Sequence, residues 1–252
     1  MNDLARGTES SPVILITGGA RRVGACIASH LHELGARVII HYRNSEREAL
    51  DLNLALQAQR PHSTAIIQGN LLDMADLARV AREAVSAFGR LDGLVNNASS
   101  FYPTTIGAVD ENQWNDLVGS NMKAPFFLSQ ALAPELRKQT GAIVNIADVH
   151  GERPMKQHTV YAMAKAGLVM MTRSLARELG PETRVNAVAP GAILWPEIGM
   201  RDEIKQTILD RTALKRAGQP RDIAEAVAFL LFQAPYVTGQ ILAVDGGRSL
   251  NI

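Results

Sequence analysis

Short apolar runs and longer amphipathic stretches alternate along nearly the whole chain. Val13, Ile14, Leu15 and Ile16 form a continuous apolar run of the kind that makes a buried strand. From Val23 to Leu34 the apolar positions fall at helical spacing, with Val23, Ile27, Leu31 and Leu34 on one face and Gly35 ending the pattern. The alternation repeats as strand Val38–Tyr42, helix Ser45–Gln59 stopped by Pro61, strand Ala65–Ile67, and helix Met74–Phe88 ended by Gly89. Leu94-Val95 is a further short strand, followed by helical segments Glu111–Gly119 and Ala124–Lys138. Strand Ala142–Ile146, a long helix His158–Leu179, and strands Val185–Val188 and Gln240–Val244 complete the series. Apolar strands alternating with helices predict an α/β, doubly wound Rossmann fold: a single mostly parallel seven-stranded sheet with helices on both faces. In such a fold, ligands sit outside the carboxyl ends of the strands.

No second alternation, repeat or linker appears, so residues 1–252 are read as one dinucleotide-binding catalytic domain. Residues 1–11 are expected to be a flexible arm, and residues 190–212 a substrate loop and helices. The net charge of +1 and the lack of a basic run interleaved with aromatics argue against a nucleic-acid partner. A single cysteine, Cys26, excludes an internal disulfide and falls among apolar neighbours as a packed thiol. No apolar run reaches the roughly 18 residues of a membrane span, and the polar N-terminus lacks a signal-peptide core. A cytoplasmic protein without a membrane partner is expected. The histidines show no metal spacing, and no metal is expected.

The candidate chemistry lies at strand ends. Thr17-Gly18-Gly19-Ala20-Arg21-Arg22-Val23-Gly24 joins a strand to a helix, which puts backbone N–H groups and a helix N-terminus where a pyrophosphate can sit. The next strand ends in Tyr42, Arg43, Asn44 and Ser45, a cation with small polar groups in place of the acid that NAD-binding proteins use on the ribose. That pattern favours a 2′-phosphate, hence NADPH, although Arg43 could be a solvated loop residue and Ser45 a helix cap. Asn70-Leu71 and Asn97-Ala98-Ser99 follow later strands as adenine-side and central contacts, or as plain turn formers. Tyr161 and Lys165 stand at i, i+4 on one helical face. A nearby ammonium should lower the tyrosine pKa and fit it for proton transfer. Asp148 ends the preceding strand, as a third active-site group or as a cap.

In order, Thr17-Gly18, Asn96-Asn97-Ala98, Asn121, Tyr161 with Lys165, and Pro190-Gly191 resemble the short-chain dehydrogenase/reductase family over about residues 12–250. The resemblance implies NAD(P)-dependent hydride transfer with Tyr161 as proton donor and Lys165 on the nicotinamide ribose. It also implies that Asn121 holds a relay water and that Pro190 and Gly191 flank the nicotinamide. Three positions depart from the general pattern: Arg22 and Ser99 replace glycines, and Asp148 replaces a serine. Those departures, with His41-Tyr42-Arg43-Asn44-Ser45 and the run Asn97–Thr104, resemble the pteridine reductase subgroup. Ala192-Ile193-Leu194-Trp195-Pro196-Glu197 is similar to the loop of bacterial dihydromonapterin reductases.

That likeness implies a dihydropterin or dihydrofolate substrate with Phe101 stacked on one face and the nicotinamide on the other. Arg22 and Ser99 would bond the pterin edge or a cofactor phosphate. Hydride would go to C6 and a proton to N5, with Asp148 as its source if it can hold one. Phe101 could instead be a buried loop anchor, and Trp195 either walls the pocket or packs its loop. Phe229, Leu230, Leu231 and Phe232 read as core or subunit contact, and the resemblance implies a homotetramer. The alternatives are a carbonyl or 3-oxoacyl-thioester reductase on the same scaffold, which Arg22 and Asp148 oppose, and a non-catalytic NADPH sensor, which need not keep Tyr161 and Lys165.

Overall fold

The computed structural model describes residues 11–195 and 201–251. Most of the expected N-terminal arm, and Pro196 and Glu197 of the substrate loop, lie outside the described residues. Seven parallel strands form one sheet in the order β3-β2-β1-β4-β5-β6-β7. They are β1 Val13–Ile16, β2 Arg37–Tyr42, β3 Thr64–Gln68, β4 Gly93–Asn96, β5 Ala142–Ile146, β6 Arg184–Pro190 and β7 Ile241–Val244. The chain winds outward from β1 to β3, returns to the other side of β1 at β4, and continues to β7. The crevice between the ends of β1 and β4 is therefore the point where the winding direction reverses.

The apolar runs become strands because both faces are covered. On one face α1 (Arg22–Glu33) and α8 (Pro220–Phe232) bury Ile27, Leu31, Ile223 and Val227 against Ile14, Ile16 and Val144. On the other, α3 (Met74–Phe88) and α5 (Ala124–Lys138) bury Leu77, Val80, Leu128 and Leu132 against Leu15, Leu94 and Ile143. The remaining helices are α2 Glu46–Gln59, α4 Glu111–Val118, α6 Thr159–Leu179 and α7 Asp202–Arg211. Gly89 ends α3 at φ 71°, the left-handed conformation that its lack of a side chain permits.

Most expected elements lie within a residue or two of their places. The two segments expected at Glu111–Gly119 and Ala124–Lys138 are joined by a π-helical turn, Gly119–Lys123, which carries Asn121. Cys26 is partly buried on α1 against the core, and burial raises its thiol pKa. Leu230 and Leu231 are buried in the core, whereas Phe229 and Phe232 are partly exposed. Among the described residues no helix is long and apolar enough to cross a membrane.

Candidate functional site

A cleft of about 990 Å³ opens along the carboxyl ends of the strands. That is near the top of the roughly 300–1,000 Å³ typical of small-molecule sites. Its walls bring together residues far apart in sequence, from the Gly18 loop through Arg43, Asn70, Ala98, Asp148 and Tyr161 to Gly191 and Trp195.

The nucleotide half is built on β1 and β4. Asn97 lines the cleft, and its Nδ2 donates to the carbonyls of Thr17 (2.9 Å) and Gly18 (3.0 Å). Thr17 Oγ1 accepts from the backbone of Asn97 (2.9 Å) and Ala98 (3.0 Å). These bonds clamp the phosphate loop to the end of β4. Gly18 sits at φ 59°, and a Cβ there would lie 3.0 Å from Ala98 Cα. A Cβ on Gly24 would lie 2.2 Å from the Gly18 carbonyl. Only glycine fits these two places, and the result is a close backbone cradle at the start of α1 that suits a dinucleotide phosphate. Arg22 holds φ 52°, a backbone region that favours glycine, and donates to the Trp195 carbonyl (3.3 Å). It thus ties the phosphate loop to the loop after β6.

At the adenosine end, Tyr42 is buried and Arg43 and Asn44 are exposed along the cleft. Ser45 is the N-cap residue of α2, but its hydroxyl makes no cap bond. The N-terminus of α2 and Arg43 thus border the same side of the cleft, a positive helix end and a cation that suit an anionic group. Asn70 uses its side chain for a turn, accepting from Leu72 N at 3.3 Å. Asn70, Leu71 and Val23 all line the cleft.

The reacting end is set by β5, β6 and α6. Asp148 divides its carboxylate between the two roles that the sequence allows it. Oδ1 accepts from His150 N (2.8 Å), capping a single 3₁₀ turn, and Oδ2 accepts the Tyr161 hydroxyl proton at 2.6 Å. Burial first, and then the Asp148 carboxylate, push the Tyr161 phenol well above its ordinary pKa. The expectation that an ammonium lowers it is not what this geometry produces. Lys165 is fully buried and donates to the Ile146 carbonyl (2.7 Å), with Nζ 5.7 Å from the centroid of the tyrosine ring. Its own pKa is held down at about 8 by burial, against the pull of Asp148.

Phe101 is half-exposed, stacked on His158 at 4.8 Å and edge-on to Tyr161 at 4.9 Å. It is no buried anchor. Ser99 is exposed beside it on the cleft, Pro190 pairs with Val244 of β7, and Gly191 packs against Asp245, with a Gly191 Cβ position only 2.7 Å from Asp245 Cα. Trp195 lines the same cleft. Asn121 does not reach the cleft wall. It is buried, donating to the carbonyls of Ser100 (2.9 Å) and Leu117 (3.0 Å), while its Oδ1 has no partner among the described residues.

Several cleft residues carry no site role in the sequence reading, among them Arg21, His41 and Arg248. Arg21 lines the adenosine side and lies 3.6 Å from Glu48. A second cation beside Arg22 was the available signal. His41 Nδ1 accepts from Gly18 N (3.3 Å) and its Nε2 meets the Gly69 carbonyl (3.1 Å), so one imidazole spans two ligand-facing loops. Arg248, in the Asp245-Gly246-Gly247-Arg248 turn after β7, also lines the cleft. Among the described residues, no group of three or more His, Cys, Asp or Glu side chains is placed to hold a metal.

A family model described as enoyl-(acyl carrier protein) reductase matches residues 18–249. The chain is 38% identical over 237 residues to a 3-oxoacyl-[acyl-carrier-protein] reductase of Staphylococcus aureus, covering 92% of this chain and 96% of that one. A Staphylococcus epidermidis protein of the same name is 36% identical, with 92% and 97% covered. Pteridine reductase 1 of Leishmania tarentolae is 34% identical, with 97% and 98% covered.

Proposed function

The chain belongs to the short-chain dehydrogenase/reductase family, and we propose that it is an NADPH-dependent reductase of dihydropterins or dihydrofolate. The observation that carries this reading is the 2.6 Å bond between Tyr161 Oη and Asp148 Oδ2, set in a cleft bordered by Arg22, Ser99 and Phe101. Reduction of a C=N bond needs a hydride on carbon and a proton on nitrogen. When bound, NADPH supplies the hydride. The clamped Gly18 loop, the α2 N-terminus, Arg21, Arg43 and Ser45 support the choice of a 2′-phosphate cofactor.

The proton assignment follows from charge. Donation from Tyr161 would leave a phenolate 2.6 Å from a carboxylate, two anions in a buried site. Asp148, once it has taken a proton from solvent through the open cleft, can pass that proton to the substrate nitrogen, and the step regenerates the carboxylate that accepts the Tyr161 hydroxyl, the arrangement observed. Tyr161 then positions Asp148 and holds the proton balance of the pair. The Lys165 ammonium, coupled electrostatically to Asp148, offsets part of that negative charge. Asn121 Oδ1, which has no partner among the described residues, is the acceptor a relay water would use. Phe101 offers a flat, half-exposed ring beside Tyr161 for a planar heterocycle.

The names of the staphylococcal relatives favour a second reading, reduction of 3-oxoacyl thioesters by the same machinery. Turnover of a 7,8-dihydropterin and of an acetoacetyl thioester, each with NADPH and with NADH, separates the two. Faster thioester reduction overturns the pterin reading, and equal use of NADH overturns the cofactor assignment.

A further inference from the structure

Arg248 occupies a rigid mount that faces the reacting end of the cleft. The mount is a single 3₁₀ turn, Arg248–Leu250, that follows β7. Asp245 fixes it by accepting from Gly247 N (2.9 Å) and Ser249 N (2.7 Å) through its two carboxylate oxygens. The same Asp245 backbone packs on Gly191, so the mount is continuous with the strand end expected to flank the nicotinamide. The position of Arg248 is therefore set by backbone and by Asp245, and does not depend on its own side chain.

The guanidinium is partly buried, lines the cleft, and lies within electrostatic reach of Asp148. Burial lowers its pKa, Asp148 and Asp245 raise it, and Arg211 lowers it. It makes no hydrogen bond or salt bridge with any described residue. Asp245 spends both oxygens on backbone amides, and Asp148 on His150 N and Tyr161. A guanidinium on the cleft wall that the protein's own carboxylates do not engage can exchange its water for an anionic group on a ligand. Its planar fork of N–H groups matches a carboxylate or phosphate in two-point contact.

We propose that Arg248 binds an anionic group carried by the substrate outside its reducible bond, and so selects charged substrates over neutral ones. This rests on the cleft being the substrate site of the proposed reductase. In pterin terms, the favoured substrate has a carboxylate-bearing tail, as in dihydrofolate, and the disfavoured one has a neutral side chain, as in dihydrobiopterin. Arg22 adds a second cation to the same rim, so the rim as a whole attracts anions.

The test uses wild-type protein, Arg248→Gln and Arg248→Lys. For each, kcat/KM is measured on 7,8-dihydrofolate and 7,8-dihydrobiopterin, and NADPH Kd is measured by fluorescence. Arg248→Gln should lower kcat/KM on dihydrofolate by about tenfold or more while changing dihydrobiopterin and NADPH Kd by less than about twofold. Arg248→Lys should recover part of the loss, since it keeps the charge but not the fork. Equal losses on both substrates, no loss on dihydrofolate, or a parallel loss of NADPH affinity would overturn the proposal. If wild-type protein reduces neither pterin, the pterin reading fails by itself. Acetoacetyl-coenzyme A and neutral acetoacetyl-N-acetylcysteamine then form the matched pair, with the same outcomes for and against Arg248.

Discussion

Protonating His41 should loosen the nucleotide loop, at a cost that follows from its surroundings. The ring is 2% exposed and bridges Gly18 N and the Gly69 carbonyl. Nδ1 accepts and Nε2 donates, so both bonds need the neutral imidazole with its proton on Nε2. Burial lowers its pKa from 6.5 to about 4. The Gly69 bond and Asp76 oppose that fall, and Arg79 adds to it. The folded-state value is below the unfolded one, so this stability is fully present above pH 6.5 and is lost as pH falls towards 4. At about 1.36 kcal/mol per pH unit the full loss is about 3 kcal/mol, of which about 1.4 kcal/mol is gone by about pH 5.5. Many carboxylates titrate in the same range, so the measurement must be a difference. Urea unfolding of wild type and His41→Gln, followed by circular dichroism between about pH 7.5 and 5.5, supplies it. The variant should be less stable at the upper pH by about 1–3 kcal/mol for lost buried hydrogen bonds. That gap should shrink by about 1.4 kcal/mol at the lower pH, because the variant has no imidazole to protonate. A gap that stays constant across the range would refute the reasoning.

Arg22→Gly should relieve the backbone at φ 52° and raise stability by up to about 1 kcal/mol, while lowering dihydropterin kcat/KM by about tenfold or more. Destabilisation on thermal melting would contradict this. Gly24→Ala places a Cβ 2.2 Å from the Gly18 carbonyl and 2.6 Å from Asn97 Nδ2. It should weaken NADPH binding by about tenfold or more, an overpacking cost of about 1–3 kcal/mol, and unchanged Kd in a fluorescence titration would count against the cradle. Asp148→Ser removes the acceptor of the Tyr161 proton and should cut kcat on a dihydropterin by about a hundredfold or more with NADPH Kd within about threefold. Equal losses in kcat and affinity would mean that Asp148 only shapes the loop. Lys165, held at about 8, loses its charge as pH rises through that value. The pH profile of kcat/KM should therefore fall on an alkaline limb near pH 8, and a flat profile to about pH 9.5 would exclude the charged form as the active one.

Local pattern was enough for most of the fold. A strand such as Ile14–Ile16 and a helix such as Leu77–Ala84 announce themselves through spacing alone, because burial on two faces or one stripe demands it. Glycines 18, 24 and 89 were legible for the same reason, since backbone geometry constrains residue type locally. The roles of polar side chains were not legible, because they depend on what the fold brings opposite them. Asn97 reads as a ligand group in sequence, but the return of β4 beside β1 turns its amide onto Thr17 and Gly18. Tyr161 and Lys165 share a helical face, yet burial, and then the Asp148 carboxylate that follows β5, reverse the direction expected for the tyrosine pKa. His41 and Arg248 stand in recognisable runs, yet nothing local says what their side chains meet. Sequence fixes which residues can form strands, helices and tight turns, because those are short-range steric and solvation choices. Only the assembled sheet decides which charges meet in the cleft, because electrostatic and hydrogen-bond partners come from strands far apart along the chain.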